Sequence, residues 1–451
     1  MDKNDKILLT IFALVLITFA VFSSKIDFHD SYEYVTIAKH FAGIKNVDLF
    51  SGHSLLYPFL ISIFLKIYPS LITIRLVNVM WIFLIGFVFL SILKSKKSFI
   101  IFAFSPIIWY TGIQTTPILP ASFFFFISFI FFNKPNLKYN HLYSGILLGL
   151  SCAFYTPMIL VSGIFILFYF WDKSFFKAIF YLLYIFIGYL PRLIQDYYLF
   201  NMPVYSLIRF AGSNLILTLG RNPTFSGNSG NLHFLGNLSI FFIFIVISPL
   251  IFRLVKIDLK KYKRVLFFLL TIFLIFFVRA SLMKYFLIIT PLIIILLSKV
   301  FSAKDVKWHC LLSILIIVFL INGFFGFNQE IVIKNDLNNI TNDFDIDYII
   351  AGPFESIYFS AYYWKNDPYF VWYQDYKASV ENKIKIRGYD FSFDSKIPLK
   401  DKLVISASFN RFNNKSYDDF ILVTKMNESE FEDLRQFELI KCYEELCVYE
   451  K

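Results

Sequence analysis

Uncharged apolar runs alternate with short polar segments as far as Gln329, and there the alternation stops. IFALVLITFAVF at 11–22 and FFIFIVISPLIF at 241–252 carry no charge, as hydrocarbon demands of a spanning segment. The runs predict helices near 7–23, 72–93, 98–115, 117–132, 141–156, 158–171, 177–195, 238–252, 265–281, 285–298 and 308–326, about eleven in all. The apolar stretch 55–68 is not counted among them, because a span there would carry the Lys94–Lys97 cluster to the opposite face. It is read as a helix lying in the outer interface, beside an amphipathic one over 31–41. Beyond Gln329, strand-like DYIIAGP, LVISAS and DFILVTK alternate with helical PFESIYFSAYYWK and NESEFEDLRQF. The expected fold is therefore a multi-pass α-helical membrane protein with a small C-terminal soluble α/β domain. Its membrane domain covers 1–329, with outer loops at 25–71 and 192–237, and the α/β domain covers 330–451.

Composition removes the soluble alternative. With 57% hydrophobic residues, 17% charged and a mean hydropathy of +0.63, the chain has too little polar surface to face water all round. The net charge of +11 divides unevenly: Met1–Gln329 holds 28 Lys+Arg and 10 Asp+Glu, whereas Glu330–Lys451 holds 15 and 22. Eighteen of those 28 basic residues lie in the segments that face the cytoplasm if the N-terminus does. By the positive-inside rule, the N-terminus is then cytoplasmic and the C-terminal domain extracytoplasmic, with the chain in the cell (plasma) membrane. The basic excess is thus a topology signal, and no nucleic-acid partner is expected. Lys3 and Lys6 precede the first apolar run, but no A-x-A-like cleavage site follows, so that run is expected to remain as a helix. Cys152 and Cys310 fall in apolar segments as packing residues, while Cys442 and Cys447 are a disulfide candidate in an oxidising compartment.

Candidate chemistry is concentrated on the outer side. Asp27, Asp30, Glu33 and Asp48 cluster in the first outer loop, so a general base for outer-face chemistry has few other places to be. Arg75, Arg192, Arg209, Arg221, Arg279 and Lys284 share that face. Acids facing cations at a membrane boundary suit an anionic, partly lipid-embedded substrate such as a lipid phosphate, which an Arg fork binds at two oxygens. Asp27, Glu33 and His53 are further candidates for holding substrate. Competing structural readings exist: Asp30 and Glu33 have capping-box spacing, His53 caps the helix that follows, and single cations snorkel to headgroups. No H-E-x-x-H, G-x-x-x-x-G-K or G-x-S-x-G occurs, which disfavours zinc proteases, Walker ATPases and ordinary serine hydrolases. Asp27 and His29 could join Asp30 around a divalent cation (Mg or Mn), but nothing else in the sequence indicates a metal or other cofactor.

DSYEYVTIAKHF just after the first span, GHSLLYPFLISIFLKIYPS, IRLVNVMW, FSPIIWYTGIQTTPILPASFFFF, SGILLGLSCAFYTP, YLPRLIQDYYLFNMPVYS and MKYFLIITP follow in that order. Together they resemble the GT-C class of integral membrane glycosyltransferases, which includes the protein O-mannosyltransferases and the aminoarabinose transferases. The resemblance implies transfer of a single sugar, mannose or a similar hexose, from a polyprenyl- or dolichyl-phosphate donor. The acceptor is a lipid, a glycan or a protein on the outer face, and membrane lipid is a partner. It also implies that Asp30 is the base, and that Lys284 with Tyr285 is the family's basic-Tyr pair, with Arg192 following the Pro that ends the seventh span. Two departures stand out: Gln114, Thr115 and Thr116 occupy a turn where many relatives carry an acid, and the WWDYG signature of oligosaccharyltransferases is missing. A transporter or flippase for lipid-linked sugars is the alternative reading, although the chain shows no convincing internal repeat.

Overall fold

The computed structural model describes residues 1–23, 29–44, 54–112, 115–134, 139–171, 174–207, 285–325, 328–344, 348–351, 369–372, 383–386, 389–392, 420–425, 438–444 and 446–450. The chain divides into two compact units. One comprises Met1–Lys25, Arg75–Gln195 and Asn228–Phe325; the other comprises Ile26–Ile74, Asp196–Gly227 and Gly326–Lys451. The second unit thus gathers the stretches read as outer loops together with the C-terminal region.

The described helices are α1 (Lys3–Phe22), α2 (His29–Phe41), α3 (Leu56–Leu65), α4 (Leu71–Ser91), α5 (Lys96–Ala103), α6 (Pro106–Gly112) and α7 (Ile118–Phe132). They continue with α8 (Asn140–Phe154), α9 (Met158–Trp171), α10 (Phe175–Phe200), α11 (Phe286–Val300), α12 (Ala303–Phe325) and α13 (Asn328–Asp343). Among the described residues, α1, α4 and α10 are long and apolar enough to cross a membrane. The expected spans 238–252 and 265–281 lie outside the described residues. The expected single span 98–115 is instead two helices, α5 and α6, broken at Phe104–Ser105. Pro106 is the cause, since it has no N–H to continue the α5 ladder. The seventh expected span runs on to Phe200, five residues past its expected end, and Pro191 lies within it.

Helix-to-helix contacts give the first unit two distinct ends. At one, Asp2 and Asp5 form a reciprocal capping box at the start of α1. Lys96 at the start of α5 pairs with both, at 2.8 and 3.4 Å. Lys97 reaches the Phe301 carbonyl just before α12. At the other end, the start of α7 is the hub. Thr115 accepts from Asn78 of α4, the Ala121 carbonyl accepts from Ser151 of α8, and Ser122 donates to the Leu287 carbonyl of α11.

Between the ends, α8 and α10 meet backbone to backbone. Gly145 and Gly149, four apart, form the small-residue face that lets apolar helices approach closely. A Cβ on Gly188 would overlap the Ile146 carbonyl oxygen and lie 2.9 Å from Gly149 Cα. Nearby, Ser128, Ser144 and Tyr181 link α7, α8 and α10 through hydroxyl contacts of 3.1 and 2.8 Å. Side chains of α10 such as Phe176, Phe180, Leu183 and Ile187 point outward, as lipid contact requires.

In the second unit, α2 and α3 pack through Tyr34 against Tyr57 and Phe41 against Phe59, both edge-on. Helix α3 buries Tyr57, Ile61 and Leu65 and leaves Phe59 and Ile63 exposed, the two-faced pattern of a helix at an apolar boundary. A five-stranded sheet has the order β2-β1-β5-β7-β6. Its strands are β1 (Tyr348–Ala351), β2 (Tyr369–Trp372), β5 (Phe420–Lys425), β6 (Glu438–Cys442) and β7 (Leu446–Glu450), while β3 (Lys383–Ile386) and β4 (Tyr389–Ser392) pair separately. Strand β1 is parallel to β2 and β5, and the β6–β7 hairpin adds antiparallel. Leu337 and Ile340 of α13 pack on Ile349, Val423, Leu446 and Val448. Cys442 and Cys447 face each other across the hairpin and are disulfide-bonded. The expected strand at 403–408 and helices at 353–365 and 427–437 lie outside the described residues.

Two outcomes follow. Gly188→Ala is expected to cost about 2 kcal/mol by forcing α8 and α10 apart, read as a lower Tm in detergent or nanodiscs. The second concerns Asp343, whose carboxyl is held below its ordinary range by the Lys441 ammonium at 2.6 Å and the Tyr443 hydroxyl at 2.7 Å. A lowered pKa stabilises the fold above the unfolded value and is lost as pH falls through the folded one. Hydrogen exchange at the α13–β6 contact is therefore expected to accelerate below about pH 4, and Asp343→Asn to remove that pH dependence.

Candidate functional site

The hub end of the first unit is polar where the helices begin and end. Arg75 lies in the first turns of α4, is 5% exposed, and is followed one turn later by buried Asn78. Asn78 Nδ2 donates to Thr115 Oγ1 at 3.4 Å, and the Thr116 hydroxyl accepts the Ile118 N–H as α7 begins. Tyr155, after α8, stacks on Tyr285, immediately before α11, with ring centroids 6.3 Å apart. Arg192 is wholly buried in α10 and donates from Nη1 to Gln195 Oε1 at 3.1 Å. It follows Gly188 by one turn, and Gly188 lies against Gly149, so Arg192 is level with the last turn of α8. Two buried guanidiniums thus occupy the same end of one helical unit, beside amide, hydroxyl and phenol groups. An end so furnished can hold an anion: the guanidiniums supply charge and forked donors, and the neutral groups supply further hydrogen bonds.

The second unit builds the surroundings of α2. Asp30 is the second residue of that helix and Glu33 lies one turn on. Because the helix opens at His29, Asp30 belongs to its first turn, and the expected capping position at the head of a 31–41 helix is corrected by two residues. Tyr34 through Lys39 are all buried, so α2 is enclosed on every side rather than lying on a surface. Ile37 shares a core with Leu55, Phe200 and Tyr205, and Phe200 and Tyr205 stack at 4.0 Å. That stack is held by Asp196, whose buried carboxylate accepts the Ser206 N–H at 2.9 Å and the Ser206 hydroxyl at 2.6 Å.

The sequence-predicted residues therefore fall into three groups. Arg75, Arg192 and Tyr285 are brought to one end of the first unit, and Arg192 sits inside a helix rather than at the mouth of the expected 192–237 loop. Asp30 and Glu33 belong to α2 in the second unit. Asp27, His53, Arg279 and Lys284 lie outside the described residues, as do Arg209, Arg221 and Gln114. Sequence reasoning did not single out Asn78 and Ser206. Asn78 was detectable as an amide in an apolar segment one turn from Arg75; Ser206 carries no comparable signal. Among the described residues, no group of three or more His, Cys, Asp or Glu could hold a metal ion.

No family model matches the sequence, and no curated protein matches it either. The fold is nevertheless shared with a solved structure, that of ArnT from Cupriavidus metallidurans bound to undecaprenyl phosphate. The TM-score is 0.65 at 9% sequence identity, over 100% of this chain and 98% of that one. ArnT is a GT-C aminoarabinose transferase, so the resemblance read from the order of sequence segments holds for the fold.

Asp196→Ala is expected to cost about 3 kcal/mol, since it strands the Ser206 donors in a buried setting. Thermal unfolding of the purified protein measures that loss.

Proposed function

We propose that the protein is a glycosyltransferase that moves a single sugar from a polyprenyl-phosphate donor to a lipid, glycan or protein acceptor at the outer face of the membrane. The observation that carries this reading is the pair of buried arginines, Arg75 and Arg192, at one polar end of a helical unit. The fold is shared end to end with a protein crystallised with undecaprenyl phosphate. A guanidinium offers charge and forked donors that match phosphate oxygens, and a lipid-borne phosphate delivers such an anion from the bilayer itself.

The reaction needs little else. An acceptor hydroxyl oxygen attacks the anomeric carbon as the bond from that carbon to the phosphate oxygen breaks, which inverts the centre in one step. Asp30 takes the hydroxyl proton and ends as the neutral acid, and the polyprenyl phosphate leaves with the bonding electrons. Arg75 and Arg192, with Arg279 and Lys284, stabilise the charge that grows on the leaving phosphate. Tyr285 adds a hydroxyl donor, and Asp27, Glu33 and His53 help hold the substrates. In this reading the N-terminus is cytoplasmic, the C-terminal region is extracytoplasmic, and the donor sugar is mannose or a similar hexose. A divalent ion has no assigned role.

The test is sugar transfer in proteoliposomes from a panel of radiolabelled polyprenyl-phosphate sugars. Wild type is expected to form a glycosidic product, and Asp30→Asn to lower the rate at least about 1,000-fold while inserting normally. Arg192→Gln is expected to weaken binding of undecaprenyl phosphate, measured separately as loss of its Tm shift. Full turnover by Asp30→Asn would sink the base assignment, and lipid-linked sugar crossing the bilayer without product formation would replace the transferase by a flippase.

A further inference from the structure

The lysine-rich end of the first unit is where three helix starts meet, and the proposed transfer uses none of its residues. Asp2 and Asp5 at the start of α1 both reach Lys96 of α5. Two turns farther along α1, Phe12 meets Phe99 edge-on at 5.4 Å, so the two helices stay together past the ion pair. Lys97, the next residue of α5, donates to the Phe301 carbonyl between α11 and α12, and both of those helices pack on α5. Adjacent residues of α5 thus tie segments 1–6 and 299–307 to one place, and segment 94–97 is the tie itself.

Those three segments hold eight lysines and three aspartates. Each aspartate is committed to the fold. Asp2 and Asp5 form the capping box of α1, and the buried Asp305 carboxylate accepts the Ser302 N–H and the Ser302 hydroxyl, each at 2.8 Å, where α12 begins. Of the lysines, Lys96 meets the α1 acids and Lys97 a carbonyl. Lys3, Lys6, Lys94, Lys299, Lys304 and Lys307 are exposed, and among the described residues none of them pairs with an acid. Lys94 is two residues from Lys96, Lys299 two from Phe301 and Lys304 three, which keeps their backbones within about 11 Å of the tie. Lys3 and Lys304 stand in first turns, where the helix dipole disfavours cations, so helix stability does not account for them.

Immediately past the lysines the exposed side chains turn apolar. Ile7, Ile11 and Leu14 follow Lys6 on α1, and Trp308, Leu311 and Leu315 follow Lys307 on α12, all of them about half exposed. Helix α1 is long and apolar enough to cross a membrane, so its lysines stand where hydrocarbon gives way to headgroups, the level at which tryptophan also collects. Cations at that depth, with the neighbouring acids already engaged, are complementary to lipid phosphates. We propose that this end of the unit is a docking surface for anionic phospholipid headgroups, whose phosphates bridge α1, α5 and the α11–α12 junction.

The experiment is thermal unfolding of the full chain in nanodiscs of phosphatidylcholine, with or without phosphatidylglycerol. Wild type is expected to unfold about 3 °C higher in the anionic discs at low salt, and about 0.5 M salt to shrink that difference. Replacing Lys94, Lys299 and Lys304 together by Gln is expected to remove most of the difference, whereas replacing the same three by Arg keeps it. Lys134→Gln with Lys177→Gln, at the ends of α7 and α10 and outside these contacts, is expected to leave it intact. Inorganic phosphate added to phosphatidylcholine discs is expected to leave the Tm unchanged. The proposal is overturned if the Gln set keeps the difference, if the Arg set loses it, or if the Lys134 and Lys177 pair loses it equally. An equal rise with inorganic phosphate alone also overturns it, by replacing the lipid with a free anion.

Discussion

Inside a bilayer, a polar group that finds no partner within the protein finds none at all, and the first unit is organised around that constraint. Among the described residues its backbone is largely helical, so the remaining question is where side-chain polarity is allowed. Among those residues polar side chains meet at the lysine-rich end, where Lys96 meets Asp2 and Asp5, in the middle, where Ser128, Ser144 and Tyr181 bond one another, and at the hub end, where Asn78 meets Thr115. Apolar helices gain nothing from mutual burial when the solvent is equally apolar, so contact has to come from close packing. Gly149 and Gly188 provide it by letting two backbones touch.

Against that background the buried arginines stand out. Lys96 is half exposed at the edge of its unit, whereas Arg75 and Arg192 are enclosed. Arg75 lies in the first turns of α4 and Arg192 is level with the last turn of α8, where helix ends gather hydroxyls and amides that continuous helix lacks. In the second unit, α2 carries Asp30 and is buried on all sides from Tyr34 to Lys39, with the Phe200–Tyr205 stack on one flank and Asp196 fixing that stack through Ser206. A helix held this way has a fixed backbone.

Much of this was legible in the residues. Among the described residues the apolar runs announced most of the helices within a few residues, because a spanning segment has to be apolar along its whole length. Arg75 and Arg192 were visible as cations interrupting or bordering such runs, and Cys442 and Cys447 as a pair too close to ignore. Other features were hidden for identifiable reasons. The break at Phe104–Ser105, just before Pro106, fell in a run whose hydropathy continues unbroken, so the apolar pattern outweighed the proline. Asp196 and Ser206 are ten residues apart and flank the end of a helix that was expected to finish earlier, which left no reason to pair them.

By itself the sequence determined that the chain is a membrane protein, which segments are helical, and which charged residues are available to meet an anion, since hydropathy and charge are local properties that any fold has to respect. Only the tertiary structure decided which of those charges share an end and which helices touch. It also decided that the stretch read as the first outer loop packs with the end of α10 and the residues after it rather than standing alone. Those outcomes depend on side chains far apart in the chain, such as Gly149 with Gly188, Asn78 with Thr115 and Ile37 with Tyr205, and no local pattern encodes which distant surface a residue will meet.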